Sequence, residues 1–69
     1  MNEQVFLDKM KGLMDNENLT MDTTLSDLEE WDSVSVLGFV SIALDCGKEL
    51  NLKQIGACST IGDLYALLK

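Results

Sequence analysis

Between Asp32 and Gly47 the chain carries a segment whose ends and interior both specify a helix. Asp32 is a good N-cap, because its carboxylate can accept an N–H that the first helical turn leaves unpaired. Trp31 and Val36 have the N′ and N4 spacing of a hydrophobic staple. Gly47 suits the left-handed residue that commonly closes a helix. Between these marks Val34, Val36, Leu37, Phe39, Val40, Ile42, Ala43 and Leu44 cover most of the circumference. The valines alone would permit a strand; the length and the end signals favour a helix from Ser33 to about Cys46. A helix apolar on nearly every side is expected to be the most buried element of its domain.

The remaining segments fit around it. Phe6, Met10, Leu13 and Met14 share one face of a helix running from Asn2, its N-cap, to about Asp15, with Val5 at the edge. Asn16 to Asp32 has no long periodicity. Its apolar residues, Leu19, Met21, Leu25, Leu28 and Trp31, read as pegs tying a long loop to the core, with a short turn near Ser26 to Glu30. Leu50 to Cys58 fits one or two helical turns. Ser59 or Thr60 then caps a last helix with a stripe of Ile61, Leu64, Leu67 and Leu68. With 69 residues there is room for one core, so residues 1–69 are expected to form a single domain. The fold class is all-α: a small four-helix bundle of three longer helices and one short one, with a long loop between helices 1 and 2.

Charge and residue types exclude much chemistry. The net charge of −7 opposes binding to a phosphate backbone, so no nucleic-acid partner is expected. No basic residue lies between Lys11 and Lys48, an interval holding eight acids, so partners with basic surfaces are favoured. No apolar run reaches the roughly 18 residues of a transmembrane helix. The start, Met1 to Gln4, lacks the basic region of a signal peptide. Cys46 and Cys58 are not a disulfide framework; they read as reduced thiols of a cytoplasmic protein. With no histidine, Ser-His and Cys-His catalysis is ruled out. A calcium loop beginning at Asp15 fails, with Thr20 where glycine is needed and Ser26 where glutamate is needed. What remains is a passive interaction domain or a domain modified by another enzyme, and not an enzyme itself.

Asp32-Ser33-Val34 resembles the Asp-Ser-Leu motif of the acyl carrier protein family. Leu19-Thr20 and Leu25-Ser26-Asp27-Leu28 precede it as in that family. Val36, Leu37, Phe39 and Val40 follow it, and Ser59-Thr60-Ile61-Gly62-Asp63-Leu64 is similar to the start of the family's fourth helix. The similarity extends from about Phe6 to Leu68. It implies an acyl-carrier-like bundle in which Ser33 bears a covalent 4′-phosphopantetheine arm holding acyl groups as thioesters. Asp32 would cap the helix and help present the serine. The partners implied are a phosphopantetheinyl transferase and acyl-transferring or acyl-activating enzymes, acting on a monomeric carrier. Val36, Phe39 and Val40 are the residues implied to shelter an acyl chain. The competing expectation is a carrier-like acidic interaction or regulatory protein that never receives the arm.

The chain departs from the fatty-acid members of the family. Their second helix presents glutamates outward, whereas here the corresponding face is expected to carry Ser35, Gly38 and Ser41, with Asp45 its one acid. The acids stand instead just before the serine, at Glu29, Glu30 and Asp32. Glu29, Glu30, Trp31 and Val34 are accordingly the expected partner contacts. The expected role is in a specialised biosynthetic pathway rather than in housekeeping fatty-acid synthesis.

Overall fold

The computed structural model describes residues 1–69 and is a small all-helical bundle. Helix α1 spans Glu3–Met14, α2 Ser33–Asp45, α3 Leu52–Gly56 and α4 Ile61–Ala66; a 3-10 turn, Leu25–Asp27, interrupts the long loop between α1 and α2. No helix is long and apolar enough to cross a membrane.

Each helix begins where the sequence supplies an acceptor. Asn2 Oδ1 accepts the Val5 N–H at 2.9 Å, and Asp32 Oδ1 accepts the Ser35 N–H at 3.0 Å. Asn51 with Gln54, and Thr60 with Asp63, form reciprocal capping boxes. Thr60, not Ser59, is therefore the cap of α4. At the other end of α2, Gly47 adopts φ +80°. Its N–H donates to the Leu44 carbonyl and that of Lys48 to the Ala43 carbonyl, both at 2.9 Å. This is the double closure of a Schellman motif, and the positive φ is why glycine stands there. After its six residues α4 tightens: the N–H groups of Leu67, Leu68 and Lys69 each bond three residues back.

The core joins Phe6, Met10 and Met14 of α1 to Phe39 and Ala43 of α2, Ile55 of α3, and Ile61 and Leu64 of α4. Leu19 and Leu25 are fully inserted pegs; Met21, Leu28 and Trp31 pack against the same cluster from partly exposed positions. Phe39 sits at the centre, edge-on to Phe6 at 6.2 Å and to Trp31 at 6.5 Å. Gly38 lies where α1 meets α2: a Cβ there would stand 2.3 Å from Leu13 Cδ1.

The long loop is also fastened by backbone. Leu25 N–H donates to Ser59 C=O at 2.8 Å, Ile61 N–H to Thr23 C=O at 3.1 Å, and Gly62 N–H to Met21 C=O at 2.8 Å. Thr24 and Thr60 form an antiparallel bridge between these bonds. This miniature ladder clamps the loop to the α3–α4 corner.

Two expectations about α2 need correction. The helix is not buried on most sides. Only Ser35, Phe39 and Ala43 are buried, while Val34 is 73% exposed, Leu37 64% and Leu44 55%. So short a chain cannot surround one helix with the others. Nor do Ser35 and Gly38 face outward. At about 100° per residue, Ser35 shares the inward side with Phe39, and Gly38 turns toward α1. Of the three small residues, only Ser41 is exposed. The outer face is Ser33, Val34, Leu37, Ser41, Leu44 and Asp45.

Candidate functional site

Ser33 is the first residue of α2 and is exposed. The first-turn amides are distributed in a definite way. Ser35 N–H is taken by Asp32 Oδ1, and Val36 N–H by the Asp32 carbonyl at 2.9 Å. The N–H groups of Ser33 and Val34 remain at the open end, beside the Ser33 hydroxyl. An anionic group on that hydroxyl would meet unpaired donors and the positive end of the helix dipole.

Beside Ser33 opens an apolar groove of about 490 Å³, lined by Trp31, Ser33, Val36, Leu37, Leu52, Ile55 and Gly56. It lies between the start of α2 and α3. Val36 is thus a wall of the groove. Phe39 is fully buried and belongs to the core. Val40 is half-buried, packs against the core cluster and is not a wall of the groove. Leu37, Leu52, Ile55 and Gly56 also line it and are not among the residues expected from the sequence. Leu52 and Ile55, three apart on a short helix, share one face; that spacing was the available signal.

The approach to Ser33 is ordered. Glu30 Oε1 accepts from Asn16 Nδ2 at 3.3 Å, which ties the acidic segment to the end of α1. Glu29 and Asp32 are exposed, whereas Glu30 and Trp31 are partly buried. Val34 projects into solvent on the outer face of α2 with Leu37 and Leu44; Leu52, on α3, is 65% exposed. Glu29, Glu30, Trp31, Asp32 and Val34 therefore cluster around Ser33 in the chain, with only Glu29, Asp32 and Val34 fully open to solvent.

The cysteines lie elsewhere and are free. Burial, and then the nearby Asp63 carboxylate, push the Cys58 thiol above its ordinary range, which keeps it protonated at neutral pH. Its sulfur is 3.6 Å from the Gln54 carbonyl, to which it donates. The Asp63 carboxyl is held below the usual range, chiefly because Oδ2 accepts the N–H groups of Ser59 and Thr60, at 2.9 and 3.1 Å. Its role is to brace the α3–α4 corner.

Comparison with protein-family models gives no match. Comparisons with curated proteins and with solved structures give none either.

Proposed function

We propose that this protein is an acyl carrier, which bears a 4′-phosphopantetheine arm on Ser33 and holds acyl groups as thioesters at its tip. One observation carries the reading: an exposed serine hydroxyl at the first position of a capped helix, at the mouth of an apolar groove. The resemblance around Asp32-Ser33-Val34 and across the chain supports the same position.

The residues fit the arm. The open N–H groups of Ser33 and Val34 suit a phosphodiester. Trp31, Val36, Leu37, Leu52 and Ile55 offer an apolar lining for the arm or for the acyl group it carries. In loading, the Ser33 oxygen bonds to the phosphorus of coenzyme A bearing the pantetheine, and adenosine 3′,5′-bisphosphate leaves. The hydroxyl proton passes to the transferase or solvent. Bound, the arm supplies the thiol that forms the thioester. The chain itself contributes a presented hydroxyl, a helix end suited to the negative charge, and shelter.

Partner enzymes would meet Val34 and Leu37 on the outer face of α2, with Glu29 and Asp32 at its edge. Basic surfaces on those enzymes would complement the net charge of −7. The carrier would serve a specialised pathway, since the outer face of α2 carries apolar residues where the fatty-acid members carry glutamates.

Incubation with a phosphopantetheinyl transferase and coenzyme A, followed by intact mass, tests the reading. Wild type should gain one phosphopantetheine and Ser33→Ala none, with unchanged circular dichroism. No gain by wild type, or a modified peptide at Ser41, would refute it and leave the acidic interaction protein as the better reading.

A further inference from the structure

The geometry points to Ser35 as a positioning residue for the Ser33 hydroxyl, an inference that rests on the carrier reading above. Ser35 is the only polar residue buried in the protein, at 7% exposure. It stands on the inward side of α2, beneath the turn that delivers Ser33.

Its two polar groups grip the approach to the helix from opposite ends. The Ser35 N–H donates to Asp32 Oδ1, the ordinary N-cap bond. The Ser35 hydroxyl donates to the carbonyl of Glu30, five residues back and outside the helix. That carbonyl also accepts the Asp32 N–H at 3.0 Å, which closes a three-residue γ-turn around Trp31. Trp31 does not have a positive φ, so the turn is of the common inverse kind. Ser35 thus fastens both the start and the end of the Glu30–Asp32 segment.

The consequence for Ser33 is geometric. The γ-turn sets the direction in which the chain enters α2, and Ser33 is the next residue after it. The same turn sends the Trp31 ring against Phe39, where it forms one wall of the groove beside Ser33. Glu30 is also held through its side chain by Asn16. Without the Ser35 hydroxyl, the cap of α2 remains but the turn loses its inner tie. Ser33 would keep its helical residue and lose its fixed approach.

The test uses the full-length protein as the substrate of a phosphopantetheinyl transferase, with coenzyme A, comparing wild type, Ser35→Ala and Ser35→Thr. Ser35→Ala should lower kcat by about tenfold, the rate equivalent of one lost hydrogen bond. The KM for the carrier should stay within about twofold. Partial unfolding would do the reverse, reducing the competent substrate and raising that KM. Ser35→Thr, which retains the hydroxyl, should restore most of kcat. Amide exchange should accelerate at Asp32 in Ser35→Ala while Phe39 and Ala43 remain protected. Wild-type kcat in Ser35→Ala, a Ser35→Thr variant as slow as Ser35→Ala, or exchange rising equally throughout α2 would each overturn the inference. A wild-type protein that accepts no arm would instead overturn the carrier reading itself.

Discussion

Asp32→Ala separates the two tasks assigned to this residue, holding the helix end and serving the serine beside it. The structure shows one capping bond at stake, Ser35 N–H to Oδ1 at 3.0 Å, on an exposed side chain. Losing an N-cap acceptor to alanine costs about 1 kcal/mol. A core of this size contributes only about 3–5 kcal/mol, so the loss is a large fraction of the total. For a domain of this length it corresponds to a fall in Tm of about 4–8 °C. Asp32→Asn retains an oxygen acceptor and loses only the charge near the dipole, worth about 0.3–1 kcal/mol. The expected order of Tm is therefore wild type, then Asn, then Ala, followed by circular dichroism at 222 nm at low salt. Arm transfer should be slowed more in Ala than in Asn, tracking the fixed approach to Ser33. Melting of Asp32→Ala within about 1 °C of wild type would show that the capping bond does not stabilise the fold. Should the Asn variant melt as low as the Ala variant, charge rather than the capping bond would be the stabilising element.

Two further outcomes follow from the geometry. Asp63 has a depressed folded pKa, so its contribution is fully present above the unfolded carboxylate value near 4 and is lost as pH falls through the folded value. The Tm gap between wild type and Asp63→Asn should hold from pH 7 to about 5 and narrow below about 4; a gap unchanged down to pH 2 would show that these hydrogen bonds are not linked to stability. On the surface, Glu29→Lys should slow association with the transferase in a salt-dependent way, whereas Val34→Ser with Leu37→Ser should act mainly on dissociation and respond little to salt. Salt-insensitive slowing by Glu29→Lys would remove the steering role of the acidic segment.

The helix ends were the most legible part of the sequence. Asn2, Asp32, Thr60 and Gly47 act through local rules, and each sits where those rules require. The loop pegs Leu19 and Leu25 were legible too, because an apolar residue amid turn formers has few other uses. The orientation of α2 was not. With apolar residues on nearly every side, the pattern names no inward face, and the small residues looked like an outer one. Packing decides it: Phe39 goes inward against Phe6, which takes Ser35 with it, and the crossing with α1 claims Gly38. The hydroxyl of Ser35 is tolerated inside because the Glu30 carbonyl accepts from it. For the candidate site, Ser33, Asp32 and Val36 were readable as neighbours along one helix. The groove was not, since its second wall comes from α3.

The ladder joining Met21, Thr23 and Leu25 to Ser59, Ile61 and Gly62 has a consequence for the time at which the protein becomes competent. Its two sides are distant in the chain and are made at different moments of synthesis. A ribosome-bound chain that has emerged only as far as α2 already displays Ser33, yet Met21, Thr23 and Leu25 in the loop preceding it lack their backbone partners until the α3–α4 corner arrives. Ile55, Ile61 and Leu64, which close the core, arrive with that corner. If Ser33 bears the proposed arm, chains in which α4 has not yet docked should therefore be poorer substrates for its attachment than the complete bundle.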